Sequence, residues 1–151
     1  MTTIFNANKP IAIGSDHAGF YYKEATIKWL TENGFTIKDF GTKDTSSVDY
    51  PDFAHPVAAS VAAQETAFGI LFCGSANGVA ITANKHQQVR AGLCWDNDVA
   101  KLVRMHNDAN IICIPARFVA VSLALEMIQN FMQTTFEGGR HTNRVNKIAC
   151  S

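Results

Sequence analysis

The segment 67–84 constrains the fold of this chain more than any other. It begins with a short apolar run, Gly69 to Phe72, which is typical of a buried strand in a parallel sheet. From about Asn77, its alanines and spaced apolar residues indicate the start of a helix. The loop between them consists of small residues and follows a thiol, Cys73, at the carboxyl end of the strand. This strand–loop–helix unit predicts an α/β fold whose ligand lies beyond the carboxyl ends of the strands.

The loop itself predicts a site for negative charge. Its backbone N–H groups can converge at the helix N-terminus, where they would hold a phosphate or stabilise charge that develops on a substrate oxygen. The field of the helix is expected to lower the pKa of the Cys73 thiol from about 8.5. The alternative is that Cys73 packs as a small hydrophobic residue, as most free cysteines do. The loop lacks both common nucleotide-binding patterns, G-x-G-x-x-G and the G-K-[ST] ending.

Predicted strands and helices alternate along the chain, as they do in a doubly wound parallel sheet. Apolar and alternating runs predict strands over 10–13, 35–40, 69–72, 89–94 and 109–114, with 35–40 near a sheet edge. Helical spacing predicts helices over 20–33, 53–64, 95–105 and 119–132, besides the one that begins near residue 77. Gly34 is expected to end the first helix, and Asp96 or Asn97 to cap the fourth. The chain is expected to form one domain, 1–151, with an α/β core over 9–140 and a C-terminal arm over 141–151.

Composition argues against several classes of protein. Hydrophobic residues make up 47% and charged residues 17% of the chain, as in an ordinary globular protein. Thirteen basic and thirteen acidic residues cancel, so no overall charge favours nucleic acid or a membrane surface. No apolar run approaches the roughly 20 residues that span a bilayer.

The cysteines and the N-terminus predict a cytoplasmic protein. The four cysteines, at positions 73, 94, 113 and 150, form no C-x-x-C pair and no zinc-type spacing. Three of them end or lie in predicted buried strands, which favours reduced thiols. Residues 1–9 do not have the charged and apolar regions of a secretory signal.

Two groups of polar residues fall at predicted helix and strand ends. Asp16 and His17 follow the first strand, at the same edge of the sheet as Cys73. They are candidate site residues, and the alternative is that they cap the next helix. Residues 106–108, His-Asn-Asp, lie between a helix and the strand 109–114. The alternative role of the histidine is to stabilise the helix C-terminus.

A third group, near the end of the chain, is basic. Arg140 and Arg144 have the i, i+4 spacing that brings two side chains to one side of a short helix, with His141 beside them. Paired guanidinium groups are suited to bidentate binding of phosphate, although a solvated basic surface is the common alternative. Tyr50, before a proline, is the remaining polar candidate.

Six motifs in the chain resemble ribose-5-phosphate isomerase type B and the wider family that includes galactose-6-phosphate isomerase. They occur in order between about residues 10 and 148, so the resemblance covers nearly the whole chain. The motifs are Gly14-Ser-Asp-His-Ala-Gly19, Asp49-Tyr-Pro51, Cys73-Gly-Ser-Ala-Asn-Gly78, Ala83-Asn-Lys85, Arg104-Met-His-Asn-Asp-Ala-Asn110 and Glu137-Gly-Gly-Arg-His141.

The resemblance implies a Rossmann-like three-layer sandwich with a five-stranded parallel sheet. It also implies a homodimer or dimer of dimers whose active sites are shared between subunits. The implied reaction is aldose–ketose isomerisation of a sugar phosphate through a cis-enediolate, with no metal and no nucleotide cofactor. The implied catalytic residues are Cys73 as base, Ser75 as a proton relay and His106 in opening the furanose ring. The implied substrate-binding residues are Asp16, His17, Tyr50, Gly74, Ala76, Asn77, Gly78, Asn107, Arg140, His141 and Arg144.

Two positions depart from the family pattern. Ser75 stands where Thr is common and keeps the hydroxyl, and Ala76 stands where Gly is common, which restricts φ in the loop. Some members carry a Glu base in place of the cysteine, at the position of Val79 here, so the resemblance assigns the base to Cys73.

Other functions remain open from the sequence. Within the family, the alternative substrates are allose or galactose 6-phosphate. A non-catalytic sugar-phosphate-binding protein would need the basic residues but not Cys73 and His106. A thiol hydrolase would use a Cys–His pair but leave the arginines without a role. A flavodoxin-like nucleotide binder is disfavoured because the phosphate-binding fingerprint is absent.

Overall fold

Five short strands form one parallel sheet in the computed structural model, which describes residues 1–150. The strands are β1 Ile11–Ser15, β2 Ile37–Asp39, β3 Gly69–Cys73, β4 Ala91–Leu93 and β5 Ile111–Pro115. The helices are α1 Phe20–Glu32, α2 Pro51–Ala62, α3 Asn77–Ala83, α4 Asn97–Asn107, α5 Val121–Gln133 and α6 Arg140–Asn146, and a 3₁₀ turn, His17–Gly19, precedes α1. None of the helices in this described part is long and apolar enough to cross a membrane.

The sheet lies between two layers of helices, because alternate residues of each central strand face opposite sides. In β3, Ile70 and Phe72 pack in a core that includes side chains of α1, α4 and α5. Leu71 and Cys73 pack on the other side, in a core with α2 and α3. All five residues of β3 are buried, as expected for a strand covered on both faces. The predicted α/β three-layer sandwich with five parallel strands is confirmed.

The strand order places β1 beside β3 in the middle of the sheet. The order is β2–β1–β3–β5–β4, so the chain turns to one side after β1 and crosses to the other side at β3. Ser15 at the end of β1 is in register with Phe72, next to Cys73. A reversal of this kind opens a crevice beyond the carboxyl ends of the two strands, which is where such folds bind ligands. The strand order therefore brings the residues after β1 and β3 to one crevice.

The two ends of the sheet carry different elements. We call the end with Ser15, Cys73 and Pro115 the carboxyl edge, and the end with Ile11 and Gly69 the amino edge. Each helix that joins two parallel strands runs back from the carboxyl edge to the amino edge. The last residues of α4 therefore lie at the amino edge, and the end of α5 lies there too, since the Thr134 carbonyl accepts from Arg104 Nε at 3.2 Å. Helix α6 follows α5 and packs against α4, so it lies there as well.

Most sequence expectations for the type and order of single elements are confirmed, but strand boundaries are wrong, most clearly in β1, β2 and β4. Gly34 ends α1 with a φ of +88°, and the Asp96 carboxylate caps α4 by accepting the Asp98 N–H at 2.8 Å. The first strand continues to Ser15, since its N–H donates to the carbonyl of Gly41 at 2.8 Å. At the two sides of the sheet, β2 and β4 each have three residues instead of the six predicted, because each pairs with only one strand. Strand length depends on neighbours that local sequence does not specify.

Candidate active site

A thiol and a carboxylate meet in the crevice between β1 and β3. The Cys73 thiol donates a hydrogen bond to Asp16 Oδ2 at 3.1 Å. The other oxygen of Asp16 accepts the N–H groups of Ala18 and Gly19 at 3.0 and 3.2 Å, so the carboxylate also caps the 3₁₀ turn. Both side chains are buried. The end of β3 and the start of the 3₁₀ turn thus fix a preformed thiol–carboxylate pair.

The environment of Cys73 raises its pKa to about 11, so the sequence prediction of a lowered pKa is wrong for this chain. Burial is the largest cause, and the hydrogen bond and charge of Asp16 add to it. The N–H groups of Gly74 and Ala76 oppose the shift but do not outweigh it. The prediction failed because helix proximity is local in sequence, whereas the carboxylate belongs to Asp16, 57 residues away, and the burial comes from packing in the core with α2 and α3.

The loop after Cys73 has the small-residue shape that the sequence predicts. Ala76 lies in the left-handed region with φ of 62° and is fully buried. This conformation costs an L-residue roughly 1–2 kcal/mol, whereas glycine, the common residue at this position in the family pattern, adopts it readily. Ser75 Oγ accepts weakly from the N–H and the side-chain amide of Asn77, at 3.4 and 3.3 Å. The loop keeps its turn despite the alanine.

Tyr50, just before α2, lies against this loop, and His17 in the 3₁₀ turn contacts the segment that leads to Tyr50. A Cβ built on Gly78 would lie 2.4 Å from the Tyr50 ring, so the ring rests directly on the glycine. His17 Nδ1 accepts the N–H of Val48 at 3.2 Å, which ties the segment to the 3₁₀ turn. These two side chains therefore lie at the carboxyl edge with Cys73, as their positions in the sequence suggest.

The structure adds three side chains at this edge that sequence reasoning did not assign. The Arg117 guanidinium lies 3.2 Å from where a Cβ on Gly74 would be, and the backbone N–H of Arg117 donates to the Gly74 carbonyl at 3.1 Å. Trp95 and Phe118 are 56% and 75% exposed and line a cavity of about 410 Å³ together with Ser75. The available signal was that all three lie within three residues of the end of β4 or β5, where this edge is formed.

A second cluster of polar residues lies at the amino edge. The rings of His106, near the end of α4, and His141, in α6, stack with centroids 4.3 Å apart and planes 13° apart. His106 Nε2 lies 3.7 Å from Glu137 Oε2. Burial, together with the charges of His106 and Arg140, lowers the pKa of His141. Arg140 and Arg144 occupy the same helix, so the cluster combines imidazole, carboxylate and guanidinium groups.

A buried arginine holds this cluster together. The Arg104 guanidinium donates to Asp108 Oδ1 at 3.0 Å, to the Ala109 carbonyl, and to the Thr134 carbonyl at 3.2 Å. It therefore joins the end of α4 to the segment that carries Glu137. The N–H of Glu137 also donates to the Met105 carbonyl at 3.0 Å. Sequence reasoning assigned no role to Arg104 or Glu137, although both lie in the quoted motifs.

The predicted site residues fall into two groups that one chain does not bring together. The carboxyl-edge group is Asp16, His17, Tyr50, Cys73, Gly74, Ser75, Ala76, Asn77 and Gly78. The amino-edge group is His106, Asn107, Arg140, His141 and Arg144. The central strands have five residues at about 3.3 Å each, so the two edges are roughly 15 Å apart. Asn107 confirms this placement, since it lines a cavity with Ala91 at the start of β4.

The family model of Ribose/Galactose Isomerase matches residues 11–148 of this chain. The chain belongs to that family. Ribose-5-phosphate isomerase B of Escherichia coli K12 is 40% identical over 140 residues, which cover 93% of this chain and 94% of the relative. The resemblance that the motifs indicated is therefore confirmed. The chain is also similar to solved structures of the family.

Two of those structures match almost the whole fold. A ribose 5-phosphate isomerase from Thermotoga maritima is 44% identical with a TM-score of 0.91, over 93% of this chain and 97% of the other. A ribose-5-phosphate isomerase B from Mycoplasma genitalium, solved with bound ribulose-5-phosphate, is 37% identical with a TM-score of 0.90, over 95% of each chain. The family, the fold and the order of the motifs therefore agree.

One group of side chains within residues 1–150 has the spacing of a metal site. One ligand atom from each of His106, Glu137 and His141 lies within 4.8 Å of the others. Two imidazoles and a carboxylate are a ligand set that zinc accepts.

Proposed function

We propose that this member of the family interconverts D-ribose 5-phosphate and D-ribulose 5-phosphate. The observation that carries the proposal is the family match over residues 11–148, together with the thiol–carboxylate pair at the β1–β3 crevice. The relatives described above bear this activity in their names, and one was solved with bound ribulose-5-phosphate. A binding protein would have no use for a buried base in the crevice, so the pair favours turnover.

Cys73 is the proposed base. Its thiol proton passes to Asp16, which already accepts the thiol hydrogen bond at 3.1 Å. The thiolate then removes the proton from C2 of the open-chain aldose and leaves a cis-enediolate, and the same proton is returned to C1 to give the ketose. Because the pKa of Cys73 is about 11 in the isolated chain, the thiolate needs further stabilisation when substrate is bound.

The loop after Cys73 stabilises the intermediate. The enediolate spreads negative charge over two oxygens, and the N–H groups of residues 74–78 are available to meet that charge. The N–H groups of Gly74 and Ala76 already stabilise negative charge on Cys73 Sγ. The hydroxyl of Ser75 relays a proton between the two substrate oxygens. Tyr50 closes one side of the pocket, where its ring lies against Gly78.

The basic residues hold the phosphate and the sugar. In the proposal, His17, Arg140 and Arg144 bind the phosphate, and His106 helps to open the furanose ring. Asp16, Asn107 and His141 contact the sugar, with Asn77 and Gly78 in the loop. A clamped phosphate supplies binding energy that orients the reacting carbons beside Cys73.

The active form is a homodimer, or a dimer of dimers, in which each site uses both subunits. The two halves of the site lie at opposite edges of one chain, roughly 15 Å apart by strand length. A second copy that brings its amino edge to this carboxyl edge would join them. Exposed apolar side chains beside Ser75, namely Trp95 and Phe118, give the partner a surface to cover. The positive charge of the partner subunit's Arg140 would also favour the Cys73 thiolate.

Subunit complementation tests the shared site. Cys73→Ala and His106→Asn are each expected to be inactive on ribose 5-phosphate. After mixing and subunit exchange, half of the dimers carry one mutation in each subunit, and one of their two sites is intact. Activity should then return to about one quarter of the wild-type value. If exchange is demonstrated by mass spectrometry and activity stays absent, the site is not shared.

The substrate is tested with the wild-type protein. Ribose 5-phosphate, allose 6-phosphate and galactose 6-phosphate are compared by kcat/KM in one assay. A preference for ribose 5-phosphate supports the proposal. A preference for a hexose phosphate keeps the chemistry and changes the substrate. Binding without turnover of any of the three would contradict an isomerase function.

A further inference from the structure

The His141 side chain carries a buried nitrogen that lacks a partner. The residue is 5% exposed, and its Nε2 makes no hydrogen bond. It is one of two such buried side-chain atoms among the described residues 1–150. Buried polar atoms are almost always paired, so an unpaired ring nitrogen indicates a ligand that the protein chain does not itself supply.

We propose that His106, Glu137 and His141 form a binding site for a divalent transition metal ion such as Zn²⁺. The three ligand atoms lie within 4.8 Å of one another, with His106 Nε2 at 3.7 Å from Glu137 Oε2. Tetrahedral zinc with bonds of about 2.0–2.2 Å places its ligand atoms roughly 3.3–3.5 Å apart. To bind a metal, the ligand atoms therefore need a contraction of up to roughly 1.5 Å together with a change in ring orientation.

The contraction falls on side chains that are free to move. The stacked imidazole planes have to open, because a metal lies in the plane of each ring that binds it. The side chains of His106 and Glu137 are 37% and 51% exposed, so both can rotate. Their backbones stay in place, since the Glu137 N–H donates to the Met105 carbonyl at 3.0 Å. Rotation of His106 also uncovers the buried face of His141.

The chemistry of the ligands selects the metal. Two imidazoles and one carboxylate suit zinc and its neighbours and leave a fourth position open. Magnesium and calcium prefer oxygen ligands and would not select this set. The charges of Arg140 and Arg144, on the same helix as His141, oppose a dication, and the Glu137 carboxylate offsets part of that repulsion. Because the arginine charges weaken metal binding, we expect the metal to bind reversibly rather than as a permanent structural ion.

Occupation of this site has a consequence that rests on the proposed function. His106 and His141 are both proposed to contact the sugar, and a metal that holds them withdraws them from it. Zn²⁺ is therefore expected to inhibit the isomerase in competition with sugar phosphate, and a chelator should restore activity.

Direct binding to the full chain tests the metal site without reference to activity. Zn²⁺ affinity is measured by calorimetry, and the ligand geometry by the visible absorption of bound Co²⁺. Glu137→Gln and His141→Asn should each weaken Zn²⁺ binding by at least about tenfold. Glu137 is exposed, so its variant should fold even if the His141 variant does not, and circular dichroism checks both.

Two control variants remove the other candidate ligands. His86→Gln breaks the close pair in which His55 Nδ1 lies 2.9 Å from His86 Nε2, and Cys150→Ser removes the exposed thiol. Both should bind Zn²⁺ as the wild type does. Unchanged affinity in Glu137→Gln, or loss of binding in either control, would overturn the assignment.

The outcomes separate this inference from the proposed function. Zn²⁺ binding that depends on Glu137, in a protein without isomerase activity, would support the metal site and reject the function. An active isomerase that does not bind Zn²⁺ would support the function and reject the metal site.

Discussion

The two edges of the sheet carry the two halves of the candidate site, and they are built differently. At the carboxyl edge, Asp16 and Cys73 follow central strands, are buried, and are joined by a hydrogen bond of 3.1 Å. At the amino edge, His106 and Glu137 come from a helix end and a connecting segment, and their side chains are 37% and 51% exposed. The comparison indicates that the fold holds the proposed chemical step rigidly and leaves substrate recognition to groups that can adjust.

The difference also has an electrostatic side. The carboxyl edge is acidic at its centre, because Asp16 adds to the burial that raises the pKa of Cys73 to about 11. The amino edge carries Arg140 and Arg144 beside two imidazoles. The carboxyl edge alone therefore disfavours the thiolate, and the amino edge has the positive charge that favours one but lacks the thiol. Joining them in a dimer would place positive charge beside the thiol, which is the change that lowers its pKa.

The largest expected effect comes from removing the base at the carboxyl edge. Cys73→Ala should lower kcat on ribose 5-phosphate by at least about 1,000-fold, since a positioned base contributes roughly 10²–10⁴. Binding of the sugar phosphate, measured by calorimetry, should change little because the amino edge is intact. Cys150→Ser is the matched control, since that thiol is exposed and lies near the end of the chain. Substantial turnover by Cys73→Ala would remove Cys73 from the role of base.

The next effect separates the charge of Asp16 from its shape. Asp16→Asn keeps an oxygen to cap the 3₁₀ turn but removes the proton acceptor, so kcat should fall about 100-fold. The pKa of Cys73 should move down from about 11, because the carboxylate is one cause of its rise. The pH profile of alkylation of Cys73 by iodoacetamide measures this directly. Asp52→Asn, an exposed acid in α2, is the control, and an unchanged alkylation profile in Asp16→Asn would show that burial alone sets the pKa.

A change at the amino edge should act on binding instead of chemistry. Arg140→Ala should raise KM roughly 30-fold, corresponding to about 2 kcal/mol for lost charge-assisted hydrogen bonds. The effect on kcat should be smaller. The rate of Cys73 alkylation by iodoacetamide without substrate shows whether the substitution disturbs the carboxyl edge. Lys101→Ala, an exposed cation on α4, is the matched control. An unchanged KM would place Arg140 outside the phosphate site.

The smallest expected effect concerns how the amino edge is held. Arg104→Lys keeps the charge but loses the forked hydrogen bonds to the Ala109 and Thr134 carbonyls, which should cost about 2 kcal/mol of unfolding free energy. KM should rise a few-fold because His106 and Glu137 lose their common anchor. Asp96→Ala removes the cap of the same helix and should cost about 1 kcal/mol with no change in KM. Urea denaturation measures the stability of both variants and shows that they are folded under assay conditions. Equal KM values for the two folded variants would contradict a positioning role for Arg104.

Local pattern predicted the elements well and the contacts between them poorly. The apolar run of β3, the cap of α4 and the glycine that ends α1 act over a few residues, and the sequence identified all three. The predicted lengths of β1, β2 and β4 were wrong because each depends on which strands lie beside it. The unassigned Arg104 joins α4 to residue 134, a pairing that spacing along the chain does not indicate.

The sequence by itself determined the class of fold, the family, and which residues stand at strand and helix ends. Hydrophobic periodicity, turn residues and the ordered motifs are local signals, and they can be identified without knowing how the elements pack together. Only the tertiary structure decided that Asp16 meets Cys73 and raises its pKa, and that His106 stacks on His141 at the opposite edge. Those facts depend on strand order and on burial, which are properties of elements brought together from distant parts of the chain. A pKa follows the charges and solvent around a group, and these exist only once the chain has folded.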